Sequence, residues 1–437
     1  MGRFTHFRPN RTIATVLPDG SAQPQPKACK RGSPLEVSAI DSEHLTAERT
    51  TSVKFPAQAE PIGNWDVTVR PFHDVPPEML VRWEGIRQCD RQFPQPFFSP
   101  RFSAAVHQAR EDVFVAIINH DGSGVANGPI GFLPFHRVGR LGVPVGRFLN
   151  DAQNVIGLSS VQVDWKRLMR ACGVVAFDLH AIVNPAKSWV DTYRLQSVRS
   201  YQADLSGDSP GFLRQLEKSH RTIGKQAQKT RKLDREIGPV QLEVDCRCPD
   251  ILAQMIRWKR EQYQRTHILD LFLPDWTRCL LDVLHDADGY APAGSETMLD
   301  QEPLRGLLSV LWSGDQVVAA HYGMVEQGRL HYWFPTYDPL FSRYSPGTAL
   351  FTELVRHATD HGLDCIDMGY GEQPYKQKQT ATTSTVAYGT ITDSHWHRIT
   401  HSLGSSLTRW VKRMPMKEKI KKAWRTIHPT AGIKKLG

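Results

Sequence analysis

The sequence predicts a mixed α/β (α+β) protein, and three observations carry that prediction. Between Val240 and Ile391, stretches of strand and helix character alternate in the order β-α-α-β-β-β-α-β-short α-β. The turn signals S-G-D-Q and E-Q-G-R separate successive apolar runs and mark antiparallel neighbours. The chain has 437 residues, 40% apolar and 23% charged, which suits a soluble globular protein of roughly two to three domains.

Residues 1 to 62 are rich in Pro, Ser, Thr, Gln and Ala and lack periodicity, which predicts a disordered tail. Ordered character begins near Trp65. W-D-V-T-V-R-P-F alternates like a strand, and P-P-E-M-L-V-R-W starts a helix with proline in its first turn. Val113–Asn119 and Ile130–Phe135 are strands joined by D-G-S-G-V-A-N-G-P as a hairpin. A helix follows at Val161–Cys172 and a strand at Val174–Leu179. Residues 209 to 238 read as one helix, with Ser209 as cap, Pro210 in the first turn and Gly238-Pro239 as terminator. Lys218, Arg221, Lys225, Lys229 and Lys232 share one face of it. That face is either solvated or a contact surface for phosphates.

Val240–Val244 is the next strand. Helices at Pro249–Arg265 and Asp275–His285 follow, then the loop A-D-G-Y-A-P-A-G-S. Strands at Leu304–Trp312, Gln316–Glu326 and Leu330–Tyr337 form a meander. A helix over Gly347–His361 ends at Gly362. Leu363–Met368 and Thr385–Ile391 are the last strands, separated by G-Y-G-E-Q-P-Y-K-Q-K-Q.

Charge is unevenly placed. The chain carries 54 basic and 45 acidic residues, a net +9. From Trp396 onward there are eleven Lys/Arg and one acid, Glu418, giving +10 and leaving about −1 for the rest. Specific nucleic-acid binding by the body is therefore not expected. In the tail, Leu403, Leu407, Trp410, Val411 and Met414 recur at helical spacing between the basic residues. This fits peripheral contact with an anionic membrane, or a solvated helix. No apolar run approaches the roughly 20 residues of a membrane span, and no apolar segment follows the opening M-G-R-F-T-H-F-R-P-N. Seven cysteines without a C-x-x-C pair suit a reducing, cytoplasmic compartment. No metal-ligand spacing such as H-E-x-x-H occurs, nor a Walker loop or G-x-G-x-x-G, and no metal is expected.

The chemistry centres on Y-S-P-G-T-A, Tyr344 to Ala349. A strand ends, a glycine allows close backbone approach, and a helix N-terminus then offers N–H groups to phosphate. With the element order, this loop resembles the GNAT acyltransferase family. Gly347-Thr348-Ala349 matches the second half of that family's (R/Q)-x-x-G-x-(G/A) loop, whereas Tyr344 stands where Arg or Gln is usual. Tyr337-Asp338, Ser345-Pro346-Gly347 and Asp367-x-Gly369 with Tyr375-Lys376 are similar to the CelD-like, FemAB-related branch. F-F-S-P-R-F, G-F-L-P-F and L-N-D-A-Q-N-V-I-G resemble the first half of the same branch.

The resemblance implies two tandem GNAT-like domains with mixed, mostly antiparallel sheets flanked by helices, and a substrate cleft between them. The expected divisions are 63–200 (a degenerate first domain), 201–395 (the acyltransferase domain) and 396–437 (the basic tail). The implied reaction is acyl transfer from acyl-CoA, acetyl-CoA first among donors, to an amine or hydroxyl. The acceptor would be an exopolysaccharide, cellulose or envelope precursor. The implied place is the cytoplasm, with the inner membrane face as an option. Tyr344, Ser345, Pro346, Gly347, Thr348 and Ala349 would bind the cofactor.

Acyl transfer needs a base for the acceptor and an acid for the leaving thiolate. His321, Asp338 and Glu372 are candidate bases. Tyr375 or Tyr337 is a candidate acid, and Lys376 a candidate anion holder. His321 sits inside an apolar strand and equally suits a core histidine, and Asp338 before Pro339 equally suits a turn. Two rival functions stay open: FemAB-like transfer from aminoacyl-tRNA to a peptidoglycan precursor, and a membrane-associated scaffold that has lost its donor site.

Overall fold

A computed structural model describes residues 65–89, 92–120, 128–158, 163–285 and 303–393. The N-terminal segment 1–62, the loop A-D-G-Y-A-P-A-G-S and the basic tail 396–437 lie outside the described residues.

The chain begins with β1 (Trp65–Pro71), α1 (Pro77–Cys89), α2 (Pro100–Ala109), β2 (Val113–His120), β3 (Pro129–Val138), β4 (Leu141–Pro144) and β5 (Ile156–Gly157). It continues with α3 (Trp165–Ala171), β6 (Ala176–Val183), α4 (Lys187–Tyr193) and β7 (Gln196–Asp204). Next come α5 (Ser209–Ser219), α6 (Arg221–Gly224), α7 (Gln226–Glu236), β8 (Val240–Glu243), α8 (Pro249–Thr266) and α9 (Asp275–His285). Last come β9 (Arg305–Ser313), β10 (Gln316–Glu326), β11 (Arg329–Tyr337), α10 (Pro346–Arg356), β12 (Cys365–Tyr370), α11 (Pro374–Gln379) and β13 (Thr382–Ile391).

The fold class is the predicted one, mixed α/β, with a largely antiparallel sheet between helices. Two sheets were expected. The strands instead join in one sheet of order β1-β2-β3-β4-β6-β13-β7-β12-β11-β10-β9-β8, with β5 paired to β3. Among the described strands, only the pairs β4–β6 and β11–β12 are parallel. The union is made by β13, which pairs antiparallel with β6 on one side and β7 on the other. The expected division at 200/201 falls inside β7, whose Cys365 and Thr382 partners belong to β12 and β13.

One core cluster also spans the N-terminal helices and the C-terminal half. Phe97 and Phe102 pack with Leu280, Met324 and Phe334. On the opposite face α10 buries Leu350, Phe351, Leu354 and Val355 against β9–β12. Each such side chain contributes about 1.5–3 kcal/mol of burial.

The helix expected over 209–238 is three helices. His220 takes an extended conformation (φ −130°) between α5 and α6. The chain then folds back so tightly that a Cβ on Gly224 would stand 2.8 Å from the Glu217 carbonyl. The break lets α5 and α7 both pack on α10. The cap is also different from that expected. Asp208, not Ser209, accepts from the Gly211 N–H at 2.7 Å.

Candidate active site

The site is built where β11 and β12 part. They pair in parallel only at Arg329–His331 against Cys365–Asp367, and the remaining residues of β11 are unpaired on that side. After β11 a short 3-10 turn, Pro339–Tyr344, leads to Ser345. That residue adopts a left-handed φ of 54° and hands the chain to α10. Thr348 and Ala349 N–H groups bond the Ser345 carbonyl at 2.9 and 3.1 Å. Among the described residues the Gly347 N–H finds no acceptor, which leaves it available to a ligand at the positive end of the helix.

Gly347 is not a glycine for its own backbone's sake. Its φ is not left-handed, and an added Cβ would meet only Tyr337 Cδ1, at 3.7 Å. What the missing side chain leaves open is the cleft. That cleft, about 370 Å³, is lined by Lys259, Tyr332, Thr336, Gly347, Tyr375 and Gln379 among others. Its lining residues all fall between 259 and 379, within the expected acyltransferase segment.

The loop is pinned from α7. Gln226 Nε2 donates to the Tyr344 carbonyl at 3.1 Å, and Lys229 Nζ donates to Ser345 Oγ at 2.7 Å. The sharply turned basic segment thus brings one member of its stripe, Lys229, to the glycine turn. Tyr344 is buried, and its hydroxyl donates to Glu236 Oε2 at 2.6 Å and also accepts from Arg343. Its side chain anchors the loop and does not line the cleft. Ala349 is buried beneath it, while Ser345, Pro346, Gly347 and Thr348 all face the cleft.

Of the expected acid–base residues, Tyr375 lines the cleft. Lys376 is 6% exposed, and its Nζ donates to the Tyr370 carbonyl at 2.7 Å. Burial lowers its pKa, against the opposing pull of Asp151 and Asp367. Lys376 therefore fixes α11, which carries Tyr375, onto the end of β12. Glu372 is on the exposed side, bonded by Arg199 at 3.3 Å and Tyr201 at 3.1 Å. The raising effect of burial on its pKa is outweighed by these bonds, and its carboxyl is lowered. Asp338 caps the 3-10 turn, accepting from Leu340 N–H at 2.9 Å.

His321 is fully buried and stacks on Tyr332 with ring centroids 3.7 Å apart. Burial, then His331 and Lys259, push its pKa well down, so the ring is neutral. Neither ring nitrogen has a hydrogen-bond partner among the described residues. It backs Tyr332 from behind the cleft.

Two motifs far apart in sequence meet beside the site. Asp151, from L-N-D-A-Q-N, lies against Gly369 of D-x-G, and a side chain at that glycine would run into the Asp151 carboxylate. Gly369 also needs its left-handed φ of 67°. Asp151 Oδ2 is 3.4 Å from His331 Nε2, at the last paired position of β11. Asp367 accepts from the Gly369 N–H at 2.8 Å, forming that turn.

Lys259, Tyr332, Thr336 and Gln379 were not foreseen. Lys259 had a visible signal, since it occupies an apolar-register position of α8 with Leu252, Met255, Ile256 and Tyr263. Among the described residues no group of three or more His, Cys, Asp or Glu could hold a metal ion. No described helix is long and apolar enough to cross a membrane.

With this geometry in place, the comparisons fall on the same segment. Residues 219–377 match the family model described as an acetyltransferase (GNAT) domain. The strand order, the splay and the glycine-led helix all lie inside or beside that match. That segment is therefore similar to a GNAT-type acetyltransferase domain. Solved structures similar to the chain include FemX (10% identity, TM-score 0.43, covering 67% of this chain and 90% of that one). L-PGS from Bacillus licheniformis is 12% identical, with TM-score 0.40, covering 78% and 97%. A tandem GNAT protein from the clavulanic acid biosynthesis pathway is 10% identical, with TM-score 0.39, covering 76% and 99%. No curated protein matches the chain.

Proposed function

We propose that the protein is an acyl-CoA-dependent acyltransferase that uses the cleft at the β11–β12 splay as its donor site. The observation that carries this is the meeting of three features at one cleft and the Ser345 turn that lines it. They are the unpaired edge of β11, the free Gly347 N–H at the start of α10, and Lys229 held at the same turn. The pyrophosphate of coenzyme A would lie on Gly347 and Thr348, with Lys229 in the place of the family's usual loop cation. Its acyl-bearing arm would run along β11 between the splayed strands.

The chain's own residues then have defined tasks. The acceptor, an amine or hydroxyl, attacks the thioester carbonyl and loses its proton. Tyr375 faces the cleft and supplies a proton to the departing thiolate. Lys376 and Asp367 hold the segment that presents Tyr375. The acceptor class we favour is an exopolysaccharide, cellulose or other envelope precursor, with acetyl as the group moved. Peripheral membrane contact through 396–437 belongs to the same reading, as does a tandem origin of the 63–200 and 201–395 halves, which here share one sheet through β7 and β13.

One observation favours a second reading, a donor larger than coenzyme A such as aminoacyl-tRNA. Arg221, Lys225, Arg231, Lys232 and Arg235 are exposed around the pinned Lys229. The deciding experiment is a melting titration with acetyl-CoA, a long-chain acyl-CoA and an aminoacyl-tRNA pool. Stabilisation by acyl-CoA supports the first reading. Stabilisation by the tRNA alone, falling steeply with salt, replaces it with the second. Stabilisation by none of them removes both and leaves the scaffold.

A further inference from the structure

Lys259 is 8% exposed, although it carries a charge. Its Nζ donates to the Pro335 carbonyl at 2.9 Å and lies 5.4 Å from the centre of the Tyr263 ring. Burial alone shifts it, drawing its pKa down to about 8, and among the described residues no carboxylate stands beside it to offset this. A buried cation without a counter-ion is costly to keep. It nonetheless borders the donor cleft, together with the Tyr332 and Tyr375 side chains.

Its partner explains its place. Asp338 N–H bonds Val318 O at 3.1 Å. The alternation of an antiparallel ladder from that bond assigns Thr336 and Phe334 to hydrogen-bonded pairs with β10, and turns the N and O of Pro335 away from it. The contact with Lys259 shows that carbonyl is indeed free of β10. Proline has no N–H, so the open edge of β11 lacks a donor at this position. The ammonium seated on the Pro335 carbonyl brings two further N–H groups to that place.

We infer that Lys259 is a catalytic residue of the transfer, donating a hydrogen bond to the carbonyl oxygen of the bound thioester in place of the backbone donor that Pro335 cannot supply. This rests on the acyl-CoA reading above. The acceptor's lone pair forms the new bond to the carbonyl carbon, and the carbonyl π pair moves onto the oxygen facing Lys259. That pair returns as the C–S bond breaks. The sulfur leaves as a thiolate and takes a proton from Tyr375, while the acceptor's proton passes to water. Lys259 keeps its own proton throughout and stabilises the oxyanion, where a preorganised donor in a water-poor site has most effect.

The test compares three probes on the full chain: coenzyme A, acetyl-CoA, and S-ethyl-CoA, whose CH2 replaces the carbonyl. Wild type is expected to bind acetyl-CoA about fivefold more tightly than S-ethyl-CoA, the size of one hydrogen bond. K259M is expected to bring that ratio to about one while leaving the affinity for coenzyme A unchanged, and K259R to restore part of it. A K259M that weakens all three probes equally overturns the inference, since the lysine would then only shape the cleft. A wild-type ratio near one overturns it as well. Should K259M melt below the assay temperature, K259Q carries the same comparison. If wild type binds none of the three, the acyl-CoA reading itself falls and takes this inference with it.

Discussion

Replacing Gly347 with alanine separates what the glycine does for the fold from what it does for a ligand. An added methyl meets nothing nearer than Tyr337 Cδ1 at 3.7 Å, an ordinary contact, on a helix where alanine is the better former. The unliganded protein should therefore keep its stability or gain about 0.4–1 kcal/mol. The methyl projects into the cleft beside the one unpartnered N–H at the start of α10, where a phosphate must come close. Suppose that it weakens acetyl-CoA tenfold. At a ligand concentration 100 times the wild-type dissociation constant, wild type gains about 2.7 kcal/mol, whereas the variant gains only about 1.4 kcal/mol. Differential scanning calorimetry with and without acetyl-CoA reads both quantities on one sample, and Gly347→Asp should abolish the ligand shift entirely. A Gly347→Ala protein that melts lower without ligand would refute the reasoning, because the glycine would then be structural. So would one that retains the full ligand-induced shift.

Other expectations follow from contacts already described. Tyr375→Phe should lower kcat by about 10²-fold or more with KM little changed, followed as thiol release from acetyl-CoA with an amine acceptor. Burial depresses the folded-state pKa of His321, so the unfolded chain binds that proton first. His321 therefore costs stability as pH falls below its unfolded value of about 6.5. His321→Leu should make the fall in melting temperature between pH 6.5 and pH 5 shallower. An unchanged slope would mean that the ring is charged in the fold. Glu326, 2% exposed, accepts from Ser99 Oγ at 2.8 Å and faces Arg87 and Arg101. Glu326→Ala removes the buried carboxylate that faces both guanidinium groups, although Arg87 keeps Glu84, and should cost about 3 kcal/mol in urea unfolding. A loss below 1 kcal/mol would show that the network is slack.

How much of this was legible in the sequence depended on which force set each element. The meander β9–β10–β11 was readable because buried apolar runs alternate with tight turns, and α8 and α9 because their apolar stripes are unbroken. β7 was not, since Q-S-V-R-S-Y-Q-A-D is mostly polar, sends only Tyr201 and Ala203 fully into the core and is held centrally by ladder bonds on both edges. The break between α5 and α7 was hidden because helix periodicity survives a sharp fold-back at His220. In the site, the glycine turn was visible as a local motif, and Ser345 to Thr348 do face the cleft. Asp338 and Tyr344 read as chemistry but serve as cap and anchor, a distinction that depends on partners at Leu340 and Glu236. The meeting of Asp151 with Gly369 depends on the sheet order, which no local pattern encodes.

The seat of β13 between β6 and β7 also fixes a sequence of events during synthesis. Val386 pairs with both Val183 and Val198, so the middle of the sheet waits for β13, the last of the described strands, to leave the ribosome. Until then β6 presents an open edge with its N–H and C=O groups unpaired, the kind of edge that recruits strands from other chains. The polar outer positions of β7 and the charged Asp178 on β6 are the residues exposed during that wait. A nascent chain released early would be a sticky half-sheet rather than a smaller folded protein, and the N-terminal portion is better regarded as a partner awaiting its clasp than as a unit that folds ahead of the rest.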